Sequence, residues 1–209
     1  MPNAAGDPRG GPARRVRVGI LSLQGDFERH GRSIETLGVE PVRVTMPADL
    51  EGIAALVLPG GESTTMLRLL ASTGLREPLE SFARSRPVLG TCAGLILLGS
   101  GAEGLPGPTL GVLDVTVERN AYGRQRESFE AAGTAHLDTK PVRLEMVFIR
   151  APRIRRVGPD VQVLAEHGGE PVMARQDRVL VATFHPELTE TTTVHQYFCD
   201  LVRRSRIAA

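Results

Sequence analysis

Cys92 stands in Pro87-Val88-Leu89-Gly90-Thr91-Cys92-Ala93-Gly94-Leu95, a short apolar run that ends in a small-x-Cys-x-Gly turn and continues into an apolar segment. The pattern has the form of a nucleophile elbow with Cys in place of Ser: strand, sharp turn, helix, and the reactive atom at the tip. Gly90 and Gly94 remove the side-chain bulk that would keep such a strand and helix apart. Unpaired N–H groups and the dipole at the start of the helix would stabilise a thiolate and later an oxyanion. Taken alone, the segment also suits a small buried hydrophobe, a frequent role of free cysteine.

A thiolate enzyme needs a base, and the chain has five histidines. His30 lies in a polar stretch, His136 and His167 in Gly-rich, loop-like surroundings, and His195 in a C-terminal amphipathic run, so these four read as surface or capping residues. His185 differs. It follows the β-rich run Arg178 to Phe184 and opens His185-Pro186-Glu187. A residue at the carboxyl end of a strand in an open α/β sheet faces the ligand crevice. Pro186 stiffens the turn, which lets the Glu187 carboxylate orient the imidazole as the third member of a triad. An isolated His-Pro-Glu is otherwise an ordinary strand-end turn. Pro59-Gly60-Gly61-Glu62-Ser63 also follows an apolar run. It suits either a backbone N–H aimed at a tetrahedral intermediate, with Glu62 and Ser63 toward a polar ligand, or a tight turn with Ser63 or Thr64 as helix cap. Arg119 and Arg150 each offer paired donors for a carboxylate.

The elements needed to position these groups are legible. Strands are expected at Val16 to Leu21, Val42 to Val44, Ala55 to Leu58 and Val88-Leu89. Helices are expected at Asp26 to Leu37, ended by Gly38, at Thr64 to Leu70 and Leu75 to Ala83 with Gly74 as the break, and from Ala93 onward. Strands then follow in succession at Val112 to Val117, Val142 to Ile149, Val161 to Ala165, Pro171 to Ala174 and Arg178 to Phe184, before a closing helix from Thr191 to Arg204. This order calls for an α/β fold: a mainly parallel central sheet, helices on both faces and an antiparallel β extension.

On these motifs the chain resembles the class I, or triad, glutamine amidotransferases, which carry a flavodoxin-like three-layer fold. Within that group it is similar, nearly end to end, to the glutaminase subunits of pyridoxal 5'-phosphate synthases. The elbow and His-Pro-Glu point only to the broad group. Leu23-Gln24-Gly25-Asp26 and Ser128-Phe129-Glu130 match as well, and Pro59-Gly60-Gly61-Glu62-Ser63-Thr64-Thr65, Arg119 to Gln125 and Phe148-Ile149-Arg150-Ala151-Pro152 are far more selective. The first fourteen residues and Ser100 to Pro108 match poorly. Leu188 to His195 departs from a more usual Asp/Arg-containing stretch, which touches local contacts only.

The resemblance implies hydrolysis of L-glutamine to glutamate and ammonia by Cys92, His185 and Glu187. It places Gly61, Glu62, Ser63, Arg119, Ile149 and Arg150 at the glutamine, and Gly61 and Ala93 in the oxyanion hole. It assigns Gln24 a peptide that flips to complete that hole when the partner binds. The implied partner is a (β/α)8-barrel synthase subunit whose dodecamer carries up to twelve glutaminases, and which builds the coenzyme from ribose 5-phosphate, glyceraldehyde 3-phosphate and ammonia. No cofactor or metal is implied. A Cys-His peptidase on a similar sheet would not need Pro-Gly-Gly-Glu-Ser-Thr-Thr or two substrate-facing arginines. A catalytically dead docking subunit would usually have lost Cys92 or His185.

Composition is compatible with this reading. The 209 residues, 41% apolar, suffice for one substantial core, expected over residues 15–209, with 1–14 as a disordered Pro/Gly/Arg-rich leader. A formal charge of +1 with mixed signs gives no argument for nucleic acid. Cys92 and Cys199 lack metal-ligand spacing, which suggests a reduced, cytoplasmic setting. No apolar run approaches a membrane span or a signal-peptide core.

Overall fold

Four short strands rich in Val, Leu and Ile supply the centre of the molecule. The computed structural model describes residues 15–119, 121, 128–138 and 140–207. The strands β1 (Arg17–Leu21), β3 (Ala55–Leu58), β4 (Val88–Thr91) and β12 (Val179–Ala182) lie side by side and parallel, with β2 (Glu40–Val44) outside β1. The sheet continues beyond β12 through β11 (Glu170–Gln176), β10 (Gln162–His167), β7 (Ser128–Leu137) and β8 (Lys140–Ile149), all antiparallel to their neighbours. A second sheet joins β5 (Gly99–Glu103), β6 (Leu113–Glu118) and β9 (Arg153–Val157).

The central strands read as continuous apolar runs because both their faces are covered. Along β3, Leu56 and Leu58 enter one core cluster while Ala55 and Val57 enter the other. The first cluster packs under α2 (Ser63–Ser72), α3 (Arg76–Ser85) and α4 (Ala93–Leu98). The second packs under α1 (Phe27–Thr36) and α5 (Thr193–Ile207). Helices therefore sit on both faces, and the expected three-layer arrangement with an antiparallel extension is observed. Local signals behave as chemistry dictates: Asp26 accepts from the Arg29 N–H at 2.9 Å to cap α1, and Gly38 takes φ +76° just past its end.

Three strands escape the sequence reading. β5 reaches into the poorly matching stretch Ser100 to Pro108, β7 places the exposed His136 in a strand rather than a Gly-rich loop, and β9 follows the Ala151-Pro152 pair directly. β5 and β9 lack the alternation of apolar residues that marks a half-buried strand, and in β7 the alternating face is carried through its middle only by Ala131, Gly133 and Ala135. The run Arg178 to Phe184 is strand only as far as Ala182. The segments 1–14, Asn120 and 122–127 of the quoted motifs lie outside the described residues.

Candidate active site

The strand order β2-β1-β3-β4-β12 reverses direction between β1 and β3, and ligands of open α/β sheets bind past the carboxyl ends of the strands at such a point. Gln24 lies past the end of β1, Gly60 to Ser63 past β3, Cys92 past β4 and His185 past β12. The parallel register sets Thr91 beside Ala182, and the Cys92 N–H donates to the Ala182 carbonyl at 2.9 Å. Cys92 and His185, 93 positions apart in the chain, thereby meet at one sheet end.

Cys92 adopts φ +49° and ψ −103°, a conformation a non-glycine residue rarely holds, and α4 begins immediately after it. Such strain persists only where the surroundings over-determine it and concentrates at functional sites. Here the surroundings are backbone: a Cβ on Gly94 would lie 2.1 Å from the Leu58 carbonyl oxygen, so α4 rests directly on β3. Gly60 makes the other close approach, since a Cβ there would lie 2.4 Å from His185 Cε1. The imidazole thus occupies the space a side chain at position 60 would fill.

His185 Nδ1 lies 2.7 Å from Glu187 Oε1, and its ring bonds to the Cys92 side chain. Burial disfavours the charged imidazole, but Cys92 and Glu187 outweigh it and His185 is pushed up to about 10. Burial likewise disfavours the Glu187 carboxylate, yet the hydrogen bond from His185 and the positive charge of that ring hold it below the usual range. At neutral pH His185 is therefore held as the imidazolium, with Glu187 as the acceptor at Nδ1.

A cavity of about 390 Å³ opens in front of this pair. Cys92 and His185 line it together with Gly61, Glu62, Ser63, Arg119, Ile149 and Arg150. Ile96, one turn into α4, also lines the cavity and was not anticipated; its spacing of four from Cys92 along a helix is the signal that would have found it. Gln24 and Ala93 are not among the lining residues. The Gln24 side chain instead accepts from the Glu62 N–H at 2.8 Å, and Ala93 is the first residue of α4. A larger depression of about 490 Å³ at the opposite end of the strands is ringed by Arg15, Arg17, Arg86, Arg178 and Arg206 and includes neither cysteine nor histidine.

Glu62, not Ser63 or Thr64, caps α2. Its carboxylate accepts from the Thr64 N–H at 3.0 Å, the Thr65 N–H at 2.6 Å and the Thr65 hydroxyl at 2.7 Å. The Thr65 hydroxyl bond leads the causes that bring Glu62 down to about 2. Arg119 pairs with Glu62 at 3.2 Å and donates to Thr64 Oγ1 at 3.1 Å. Arg150 closes the cavity from the end of β8 with φ +42°, another strained non-glycine position.

Two histidines are corrected outright. His30 and His195 are each 0% exposed rather than surface or capping residues. His30 on α1 and His195 on α5 meet behind Glu187. His167 rests against the rings of Phe129 and Phe148. Among the described residues no helix is long and apolar enough to cross a membrane, and no cluster of His, Cys, Asp or Glu could hold a metal ion.

Residues 20–204 match the SNO glutamine amidotransferase family. The chain is 49% identical over 188 residues to the pyridoxal 5'-phosphate synthase subunit PdxT of Koribacter versatilis (strain Ellin345), covering 90% of this chain and 96% of that one. It is 49% identical over 197 residues to the subunit of the same name from Geobacillus kaustophilus (strain HTA426), covering 93% and 98%. A solved glutamine amidotransferase superposes with a TM-score of 0.82 at 44% identity over 89% of this chain and 98% of that one. A putative GMP synthase subunit from Thermoplasma acidophilum, 18% identical, shares the fold at a TM-score of 0.70 over 94% and 98% of the two chains. The matched span contains the elbow, the Gly60 to Ser63 turn and the His185 turn alike, and the chain belongs to the SNO glutamine amidotransferase family.

Proposed function

We propose that this chain is the glutaminase subunit of a pyridoxal 5'-phosphate synthase, hydrolysing L-glutamine and passing ammonia to the synthase subunit. The observation that carries the reading is the line Cys92, His185, Glu187 at the carboxyl ends of β4 and β12, opening on a cavity that holds both a carboxylate and two guanidinium groups. A free amino acid carries an ammonium and a carboxylate, and such a cavity matches both charges.

Cys92 reacts as the thiolate, with its proton held by His185. The thiolate attacks the side-chain amide carbon of glutamine, and the carbonyl electrons move onto oxygen. Backbone N–H groups at Gly61 and Ala93 donate hydrogen bonds to that oxyanion, Ala93 from the first, unpaired position of α4. His185 returns its proton to the departing nitrogen, ammonia leaves, and a thioester remains. Water, deprotonated by His185, attacks the thioester and releases glutamate with regenerated Cys92. Glu187 keeps the imidazole in its working orientation throughout. Glu62, Ser63, Ile149, Arg119 and Arg150 hold the amino-acid end. The Gln24 peptide completes the oxyanion hole when the partner docks, a step that releases the present bond between Gln24 and the Glu62 N–H.

Ammonia free in neutral water becomes ammonium and loses its lone pair, so direct delivery to an acceptor enzyme is the economical arrangement. We assign as partner the (β/α)8-barrel synthase, whose dodecamer carries up to twelve glutaminases around it, and the cytoplasm as the compartment that keeps Cys92 reduced. Residues 15–209 are assigned to one glutaminase domain. Glutamate release from L-glutamine is measured for the purified chain, with and without the synthase, beside Cys92→Ala. Activity should rise with the synthase and vanish in the variant. Glutamine left untouched in the presence of the synthase would sink the assignment.

A further inference from the structure

Behind the triad lies a second row of titratable groups that the mechanism above does not use. Glu187 Oε1 serves His185, while Oε2 faces inward, 3.4 Å from His30 Nε2. His30 Nδ1 lies 2.9 Å from His195 Nε2. Both imidazoles are wholly buried, and Glu187 is 7% exposed. Glu187 Oε2, His30 Nε2 and His195 Nδ1 have no hydrogen bond among the described residues, so the 3.4 Å approach is the inner carboxylate oxygen's polar contact. Buried polar groups are costly unless paired, and three of them in the apolar layer between α1, α5 and the sheet call for an account.

Their protonation follows from electrostatics. A lone pair on His30 Nε2 would point at an anionic oxygen, so the proton sits on Nε2, directed at Glu187 Oε2 across the 3.4 Å approach. Nδ1 of His30 is then an acceptor, and His195 must donate to it from its own Nε2. That leaves His195 Nδ1 as a bare acceptor, a smaller loss than a buried N–H without a partner. Burial first of all keeps both rings neutral: His30 is lowered despite the charges of Glu187 and Asp26, and His195 falls to about 3.

We propose that His30, backed by His195, is a positioning residue of the reaction: its Nε2–H fixes the inner oxygen of Glu187 so that the outer oxygen stays aimed at His185. The inference rests on the triad reading given above. It also gives α1 and α5 a task at the active site, since each delivers one ring to the turn that carries His185 and Glu187.

The test uses the complex with the synthase and compares His30→Gln with His30→Asn. Gln places an amide N–H where Nε2 stands; Asn reaches only the Nδ1 position and keeps the contact with His195. We expect His30→Asn to lower kcat about tenfold or more with KM changed less than about twofold, and His30→Gln to recover to within about threefold of the parent. In a Glu187→Gln background the His30→Asn step should cost less than about twofold, because its target is gone. Equal kcat in parent, Asn and Gln variants would overturn the inference, as would an undiminished His30→Asn loss in the Glu187→Gln background. If Glu187→Gln alone leaves kcat unchanged, the triad reading fails; if it is impaired while His30→Asn matches the parent, only the present inference falls. Imidazole nitrogen resonances of the unmodified protein supply a reading independent of variants. His30 and His195 should both show Nε2–H tautomers that do not titrate between about pH 5 and 9, and a titrating ring or a proton on His30 Nδ1 would refute the arrangement.

Discussion

Replacing Gly94 by Ala perturbs the support of the nucleophile without touching a polar group. The new Cβ would lie 2.1 Å from the Leu58 carbonyl oxygen and 2.9 Å from Leu58 Cβ, both on a central strand buried on two faces. A strand so placed cannot yield, so α4 must retreat by about 1 Å to restore ordinary van der Waals separation. Overpacking of this kind costs about 1–3 kcal/mol, and contact with backbone puts it at the upper end. Helix propensity offsets about 1 kcal/mol in favour of Ala, which leaves a net loss near 2 kcal/mol. Since Cys92 is the residue before α4, the same retreat moves Sγ relative to His185 and the proposed oxyanion donors, and displacement of about 1 Å lowers turnover about a hundredfold. Urea unfolding measures the first effect through a midpoint shift at constant slope. Glutamate release with the synthase present measures the second. Gly101→Ala is the matched control, because its Cβ would meet only Thr116 Cγ2 at 4.0 Å. A Gly94→Ala protein within about 0.5 kcal/mol of the parent and equally active would refute the claim that helix-on-strand contact sets the elbow.

Glu62 supplies a pH test with a defined sign. Its folded value of about 2 lies below the ordinary 4.5, so its contribution is complete above about 4.5 and disappears as pH falls toward 2. The side chain is 47% exposed, and the effect is that of a helix cap screened by solvent, about 1 kcal/mol or less. Unfolding free energies of parent and Glu62→Gln should converge across that window; curves that stay parallel would count against the cap. The two cysteines should separate by reactivity. Cys199 is buried and its thiol is pushed up to about 11, whereas Cys92 opens on the cavity. Iodoacetamide on the native protein should therefore label Cys92 and spare Cys199, as read by peptide mass.

Much of this protein is written locally. The helix opened at Asp26, the Gly38 and Gly74 breaks, the apolar runs of the parallel strands and the strand-turn-helix about Cys92 each depend on residues a few positions apart, and each is found close to where the sequence places it. Composition and spacing suffice there because capping, φ > 0 and burial on two faces are properties of short segments. The meeting of Cys92, His185 and Glu187 was legible for the same reason: a sharp turn after a strand and a strand-end His-Pro-Glu both point to the sheet end where ligands bind.

What tertiary structure alone decided depends on groups far apart in the chain. His30 and His195 read as surface residues because their neighbours are polar; 165 positions separate them, and only the packing of α1 against α5 buries them behind Glu187. Glu62 and Arg119 are 57 positions apart, and their pairing follows from the turn after β6 reaching the start of α2. The strands β5 and β9 exist because a neighbouring edge accepts their backbone hydrogen bonds, not because their side chains alternate, and β7 is held by pairing with β8 along its whole length. Pairing across a sheet is specified by the partner strand as much as by the strand itself, so a segment's own residues determine its elements and turns, while its neighbours in space determine which buried charges it must satisfy.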